Sequence, residues 1–386
     1  MPTPACLRLF PLLGALGLTQ PQVAAADAVQ WIRVPEGGIQ PQAVLDPRGT
    51  LHLLYFKGEA SAGDLFYVRR DWKDDNFSPP VPVNHRRGSV MATGTIRGGQ
   101  LAVGKGGRVH VAWNGPAPKG GDHHQAPMLY TRLTVDGRGF EPERDVISRA
   151  RGLDGGGSVA ADANGNVWVV WHAPVPGTSS SEQDRAVFVA HSTNDGGQFG
   201  PERRAVDSST GACGCCGLKT FADAQGNLFI SYRAARDTLH RDQTLLFARA
   251  EATDFQLLFS HPWEVGMCPM SSTSFSPAPT RVLTAWESTG NVYFARLDPR
   301  SGQVEPPAGP LPGPTRKHPI AVGNGRDQIL LTWTEGTAWG KGGEVAWQMF
   351  SGTGKPTSAI ERAPGLPAWS LVAAVALPNH SFLIIY

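Results

Sequence analysis

Six of the side chains that carry sulfur or imidazole in the second half of the chain suggest metal chemistry. They are Cys213, Cys215, Cys216, Cys268, Met270 and His318. Thiolate, thioether and imidazole together suit a soft or borderline metal ion. Copper(I) is therefore the first candidate, with zinc second.

Disulfide bonding is an alternative use of the same cysteines. Of the five cysteines in the chain, four remain once Cys6 is set aside with the N-terminal segment, and an even number in an exported protein permits two bridges. One of Cys213, Cys215 and Cys216 would pair with Cys268, and a second bridge would involve the remaining close pair. Adjacent Cys215 and Cys216 can bond only through a strained turn. Unpaired, redox-active thiols are a third possibility.

A recurring hairpin must position these residues. Each copy has a short strand, a turn with Gly or Asn, and an alternating apolar strand that ends in Trp or Tyr, which is the pattern of a β-hairpin. Spacings run from 47 residues (Trp286 to Trp333) to 61 residues (Trp171 to Tyr232). The seven copies end at Tyr55, Trp113, Trp171, Tyr232, Trp286, Trp333 and Tyr386.

A second element between the copies predicts two further strands per unit. It has the form D-G-x-x-F-x-P-E at residues 136–143 and 195–202, with a degenerate version at residues 74–79. The sequence thus predicts an all-β fold, a β-propeller of four-stranded blades. Seven blades are favoured and six are the alternative. Residues 29–34 are expected to close the last sheet.

The order of the hairpins along the chain predicts where the sulfur-containing residues come together. The three clustered cysteines precede the fourth hairpin, Cys268 and Met270 precede the fifth, and His318 precedes the sixth. In a propeller the innermost strands all begin on one face, around the central channel. We therefore expect a ligand site or soft-metal site at one mouth of the channel.

The N-terminal segment predicts export. Residues 1–26 carry one charge, Arg8, then a short apolar stretch, and small residues at 23–26 suit signal cleavage. We expect residues 27–386 to form a single propeller domain that is periplasmic or secreted. No later apolar stretch is long enough for a membrane span after signal removal. With 35 basic and 33 acidic residues and no basic stripe, nucleic acid is not expected as a partner.

One turn motif resembles a known family. Ser192, Asn194, Gly196 and Phe199 resemble the Asp-box of sialidases and other BNR-repeat proteins, with Asn194 where that family usually has Asp. The resemblance implies a sialidase-like propeller in which this box is a structural turn at the outer edge of a blade. Fold is implied more than function.

A second resemblance covers roughly residues 211–275. The C-x-C-C run that begins at Cys213, then Tyr232 and Arg233, then Trp263, then Cys268-Pro269-Met270 is similar to exported sialidase-like proteins with the same ordered set. This resemblance supports the propeller without implying a particular reaction.

Sialidase catalysis is the alternative function, as an exo-alpha-sialidase-type glycoside hydrolase. The resemblance implies three arginines that clamp a carboxylate, a Tyr nucleophile with a Glu partner, and an Asp acid/base. At the start of the first inner strand, however, the chain has Gln40 where the first arginine is expected. Glutamine cannot make the bidentate charged contact. The catalytic candidates would be Tyr232, Arg233, Asp64 and Glu59, with Arg281, Arg296 and Arg316 as further clamp residues.

Three hypotheses remain open at this stage. The first is a non-catalytic exported propeller that binds a glycan or another exported protein on its channel face. The second is the same scaffold with copper at the channel mouth, and the third is the sialidase. His123 and His124 lie on a Gly/Pro-rich loop and are weaker ligand candidates.

Overall fold

All seven hairpins predicted from the sequence are present in the computed structural model of the chain. The structure describes Met1 and residues 29–117, 125–207, 210–250, 252 and 254–386. The described strands form seven sheets, one for each hairpin. The protein is therefore an all-β, seven-bladed β-propeller, and the six-bladed alternative is wrong.

The strands follow the chain blade by blade. The first strand and blade 1 are β1 (Val29–Ile32), β2 (Ile39–Leu45), β3 (Thr50–Glu59), β4 (Ala62–Asp71) and β5 (Val81–Pro82). Blades 2 and 3 are β6 (Gln100–Val103), β7 (Val109–Asn114), β8 (Met128–Arg132), β9 (Arg144–Asp145), β10 (Ser158–Ala161), β11 (Val167–Pro174), β12 (Arg185–Ser192) and β13 (Arg203–Arg204). Blade 4 is β14 (Lys219–Ala222), β15 (Leu228–Arg233), β16 (Gln243–Ala248) and β17 (Gln256–His261).

The remaining blades complete the ring. Blade 5 is β18 (Ser274–Pro277), β19 (Val282–Ser288) and β20 (Asn291–Leu297). Blade 6 is β21 (Arg316–Gly323), β22 (Gln328–Glu335), β23 (Gly343–Ser351) and β24 (Glu361–Leu366). Blade 7 is β25 (Ala373–Ala376) and β26 (Phe382–Ile385) together with β1.

Two blades depart from the predicted four strands. Blade 5 has three strands, and isolated bridges such as Phe294 to Ala308 stand in place of a fourth. Blade 7 also has three, because β1 from the start of the described chain pairs in parallel with β26. This pairing joins the two ends of the chain and closes the ring, as expected for residues 29–34. Closure covers sheet edges that would otherwise remain open to other chains.

A capped turn shapes four of the hairpins. The Asp or Asn that opens each turn accepts, through its Oδ1, the backbone N–H groups two and four residues later at 2.8–3.1 Å. Such side-chain bonds to nearby backbone favour a turn over an extended strand. The four capping residues are Asp46, Asp162, Asp223 and Asn324. The residue three positions after the cap has a positive φ, which is why Gly165 and Gly226 occupy it.

Large aromatic side chains fill the space between blades. Trp171, at the end of its hairpin, is fully buried and packs in one cluster with Met128 and Tyr130 of the preceding blade. Tyr232 lies in the equivalent cluster between blades 3 and 4. Burying each such side chain stabilises the fold by roughly 1.5–3 kcal/mol. The hairpin-ending aromatics therefore hold neighbouring blades together.

The Asp-box residues form the predicted turn between β12 and β13. The Ser192 hydroxyl donates to Asn194 Oδ1 at 2.8 Å and accepts the Gly196 N–H at 3.0 Å. Gly196 has a φ of 74°, and a Cβ there would lie 1.8 Å from the Tyr130 hydroxyl of blade 2. Phe199 packs edge-on against the Tyr130 ring at 4.8 Å. The box thus fixes the outer edge of blade 3 against blade 2.

The final Glu of each D-G-x-x-F-x-P-E element makes a second link between blades. The Glu143 carboxylate accepts the backbone N–H groups of His85 and Arg86, both at 2.9 Å. Glu202 likewise accepts backbone N–H groups from the chain just after blade 2. Burial opposes ionisation of both carboxyls, yet hydrogen bonds outweigh it and lower both pKa values; at Glu202 the Ser148 hydroxyl donates as well as the backbone groups.

Helical structure in the described residues consists of short 3₁₀ turns. They are Pro35–Gly37, Lys105–Gly107 and Glu182–Asp184. Within the described part of the chain, no helix has the length and apolar character needed to span a membrane.

Candidate metal centre

The cysteines lie where two neighbouring blades begin. Residues 213–216 belong to the loop between β13 and β14, and Cys268 belongs to the loop between β17 and β18. Gly217 and Leu218, at the end of the first loop, line the central channel. The loop therefore lies at the rim of the channel, on the face where innermost strands start.

Three thiols of this loop form a compact group. The Cys213 sulfur lies 3.2 Å from that of Cys215 and 3.5 Å from that of Cys216. All three sulfurs lie within 4.8 Å of one another. Cys213 and Cys216 are buried, and Cys215 is half-buried. Three convergent thiols in this geometry can hold a metal ion.

Cys268 joins the group from the next blade. It is exposed, and its thiol interacts with the thiols of Cys213 and Cys215. All four of these cysteines are free thiols. The distances from the Cys213 sulfur to those of Cys215 and Cys216, 3.2 and 3.5 Å, exceed the disulfide bond length of about 2.05 Å. The structure thus contains the predicted gathering of thiols without the predicted disulfide alternative.

The thiols do not ionise alike. Hydrogen bonds from Cys213, supported by Cys215, lower the pKa of Cys268 to about 6. Burial raises the pKa of Cys216, but hydrogen bonds from the same two thiols and the Arg233 charge outweigh burial and bring it well below its usual range. The neighbouring thiols raise the pKa of Cys213, which acts as a donor to them. Cys216 and Cys268 therefore lose their protons more readily and favour the thiolate form that binds metals.

A half-buried carboxylate fixes the cysteine loop. Glu182, on the loop between β11 and β12, accepts the Gly214 N–H at 2.6 Å through one oxygen. Its other oxygen accepts Arg241 Nη2 at 2.8 Å. A nearby acid, Glu287, is buried at the end of β19, and burial raises its pKa to about 7. Glu182 was not predicted from the sequence, because it reaches the loop from another blade.

His172 lies behind the cluster. It is buried, and neither ring nitrogen makes a hydrogen bond of ordinary length and angle. A Cβ on Gly155 would meet His172 Nε2 at 2.6 Å and the Cys216 carbonyl at 2.9 Å, so the three groups adjoin. Burial lowers the pKa of His172 to about 4 and keeps the ring neutral. The glycine run 155–157 was the sequence signal for this close packing.

The expectation that Met270 and His318 join the thiols stays a prediction, and His318 also lines the central channel. Both line a small cleft together with Trp339 and Trp369. His318 does not belong to the described group of Cys, His, Asp and Glu donor atoms that lie within 4.8 Å of one another. His318 Nδ1 is instead 3.0 Å from the Ser272 hydroxyl, and burial lowers the His318 pKa to about 3. Other ligand candidates, His123 and His124, lie outside the described residues.

Met270 and His318 share an unusual backbone conformation. Met270 and His318 both have positive φ angles, 47° and 52°. The pairing of β21 with β22 shifts register between Lys317 and Ile320, which marks a β-bulge that turns the side chain away from the regular alternation. Gln40 has the same combination, with a φ of 53° and a register shift in β2.

The sialidase candidates have structural partners. The Tyr232 hydroxyl is buried 2.6 Å from Thr210 Oγ1, and burial raises its pKa to about 12. Arg233 donates to the backbone carbonyls of Arg241 and Glu287 at 2.8 and 2.7 Å. With these partners, neither the Tyr232 nor the Arg233 side chain points into the channel.

The other candidates are spread over the ring. Asp64 accepts from Asn84 Nδ2 at 2.7 Å within blade 1, and Glu59 is exposed at the β3–β4 turn. The Gln40 amide donates to the carbonyls of Ala92 and Trp369. The clamp candidates are paired with glutamates: Arg281 and Arg296 with Glu305, and Arg316 with Glu335. These contacts do not bring the candidates to one place.

Comparisons with known proteins show the fold alone. No protein-family model matches the chain, and no curated protein matches it significantly. The Hadza microbial sialidase Hz136 is 12% identical with a TM-score of 0.52, over 85% of this chain and 67% of that one. The six-bladed fucose-binding lectin of the fungus Aleuria aurantia is 13% identical with a TM-score of 0.50, over 86% and 95%. A protein of unknown function from Dyadobacter fermentans has a TM-score of 0.49 at 13% identity, over 86% and 94%.

The chain is thus a β-propeller that resembles a sialidase and a lectin in architecture. At these identities the similarity assigns no family and no activity. Any function must be argued from the side chains of this chain.

Proposed function

We propose that this protein is an exported, non-catalytic β-propeller that binds a soft metal ion at the channel mouth through Cys213, Cys215, Cys216 and Cys268. The main observation that supports this proposal is the group of three thiol sulfurs within 4.8 Å of one another. Copper(I) is the preferred ion, because it favours soft ligands and low coordination numbers. Zinc, which thiolates also bind, is the second candidate.

Two features of the surroundings support this proposal. The lowered pKa values of Cys216 and Cys268 favour thiolates, so less free energy is needed to deprotonate the ligands when the metal binds. Glu182 holds the Gly214 backbone between the cysteines. Such contacts orient the ligands before the metal arrives and so raise affinity.

Metal content after reconstitution tests the proposal. The reduced protein is loaded anaerobically with copper(I) or with zinc, passed over a desalting column, and analysed for metal by elemental analysis. We expect one copper ion per chain, retained against a chromophoric copper(I) chelator, and weaker retention of zinc. Tighter retention of zinc would keep the site and overturn the choice of copper.

Matched variants assign the metal to the cluster. Cys213→Ser combined with Cys216→Ser should abolish retention, while Met267→Leu should leave it unchanged. Met267 is a suitable control because it is an exposed sulfur residue beside Cys268. Circular dichroism verifies that each variant is folded. A folded wild-type protein that retains no metal, or a folded double variant that retains it fully, would refute the proposal.

Glycan binding is a second candidate with its own observation. Trp339 is 60% exposed and packs edge-on against Trp369, with ring centroids 4.8 Å apart, beside the cleft described above. Exposed aromatic surface at a cleft is typical of a ligand site. Titration with L-fucose and N-acetylneuraminate, followed by tryptophan fluorescence, tests this. Binding should be lost in Trp339→Ala and kept in the control Trp31→Ala, which removes another exposed Trp.

Sialidase activity receives a separate test. We expect no release of fluorophore from 4-methylumbelliferyl N-acetylneuraminate, because Gln40 replaces the expected arginine and its amide is bound to backbone carbonyls. Turnover that Tyr232→Phe abolishes would overturn the non-catalytic part of the proposal.

A further inference from the structure

The central channel contains a cavity of about 360 Å³ whose wall carries an unbalanced positive charge. The innermost strands of all seven blades line it. Among the described lining residues Lys219 is the only Lys or Arg, and no Asp or Glu is present. His318 is the other titratable lining residue, and burial keeps it neutral by lowering its pKa to about 3.

Lys219 reaches across this cavity. It is the first residue of β14 in blade 4, yet its ammonium donates to Gln42 Oε1 of blade 1 at 2.9 Å and to Gln100 Oε1 of blade 2 at 2.7 Å. An ammonium group has three N–H donors, and these two bonds leave one for a further acceptor. Three blades therefore place one charged group and two amides at the same point.

The amide oxygens do not neutralise the lysine. They are dipoles, and an ammonium removed from bulk water without a counter-charge is costly. Burial accordingly lowers the Lys219 pKa to about 8, and no nearby carboxylate raises it. A bound anion would supply the missing charge and the missing acceptor together.

Apolar side chains lie one step deeper in the channel. Phe221 follows Lys219 by two residues, so it projects from the same face of β14. Its ring stacks on Phe275 of blade 5 with centroids 6.1 Å apart. Val44 likewise follows Gln42 by two residues on β2, and it also lines the cavity. The channel thus has a polar, cationic layer above an apolar layer.

We propose that this channel binds a small carboxylate with an apolar body, its carboxylate on Lys219 and its apolar part against Phe221 and Phe275. The charged head takes the free ammonium N–H, and the apolar part is removed from water below it. This site is separate from the thiol cluster and does not depend on a bound metal.

Fluorine NMR with 4-fluorobenzoate as the probe tests the proposal. The purified full-length protein with reduced thiols should broaden and shift the probe signal saturably. The neutral analogue 4-fluorobenzamide has almost the same shape and should bind at least about tenfold more weakly, since it lacks the charge. Equal binding of the two probes, or no binding of the benzoate, would overturn the proposal without any variant.

Variants then assign the binding to the lysine. Lys219→Met keeps the length of the side chain and should weaken benzoate binding at least about tenfold, while Lys219→Arg keeps the charge and should retain binding. Lys105→Met, on the hairpin turn of blade 2, is the matched control and should bind as the wild type does. Thermal unfolding shows whether Lys219→Met is folded. Undiminished binding by a folded Lys219→Met variant would contradict the assignment.

Discussion

The capped hairpin turns allow a quantitative test with Asp223. This side chain is buried, and its Oδ1 accepts the N–H groups of Gln225 and Asn227, each at 2.9 Å. Its Oδ2 accepts Asn227 Nδ2 at 2.8 Å. Asp223→Ala removes all three bonds, and at about 1 kcal/mol each the free energy of unfolding should fall by about 3 kcal/mol. An unfolding entropy of about 2.1 cal/mol/K per residue gives about 0.75 kcal/mol/K for this domain, so Tm should fall by about 4 °C.

Differential scanning calorimetry at neutral pH, with two control variants, measures this loss. Asp223→Asn keeps an acceptor at the same position, as Asn324 does in blade 6, and should lose less than half as much stability. Glu59→Ala removes an exposed carboxylate and should leave Tm unchanged. If Asp223→Asn were as unstable as Asp223→Ala, the charge and not the acceptor geometry would stabilise the turn. No loss in either variant would refute the capping argument altogether.

Three further substitutions have distinct expected outcomes. Gly196→Ala places a Cβ 1.8 Å from the Tyr130 hydroxyl at a positive φ, so denaturant unfolding should show a loss above about 2 kcal/mol. Tyr232→Phe breaks the buried bond to Thr210 and should cost about 1 kcal/mol while metal retention stays unchanged, whereas loss of metal would contradict its packing role. Glu202→Gln should destabilise more at pH 7 than at pH 3. The Glu202 pKa is lowered from 4.5 in the folded state, so its contribution is present in full above pH 4.5 and is lost as pH falls through the folded-state pKa; an equal loss at both pH values would disprove this.

The fold was predictable because its signals are local. Period-two alternation, the Asp-to-Gly turns and the aromatic that ends each hairpin all lie within about fifteen residues of sequence, where spacing alone is informative. One feature of the ring is a contact between residues far apart in the sequence, the parallel pairing of Val29–Ile32 with Phe382–Ile385. It was predicted because the seventh hairpin ends at Tyr386 and needs a further strand from elsewhere in the chain. The missing fourth strand of blade 5 had no sequence signal.

The candidate site was predictable only in part. The order of the hairpins along the chain predicted that Cys268 lies beside the Cys213 loop, because both segments precede innermost strands of neighbouring blades. For Met270 and His318 the predicted placement stays a prediction; both residues have a positive φ, and His318 lies beside Ser272. His318 and Gln40 both precede a proline at a point where the strand pairing is irregular. Glu182 was missed because it reaches the loop from another blade.

The two faces of the ring differ in what they can bind, and this difference follows from the connections. On one face, tight turns join the first two strands of each blade, and caps such as Asp46 and Asp162 satisfy their own backbone, which leaves few groups for a ligand. On the opposite face, longer loops lead into the innermost strands and carry the thiols. Lys219 follows Cys216 by three residues and lies farther along the same path into the channel. A ligand that enters from the thiol face therefore passes the cysteines before it reaches the ammonium group.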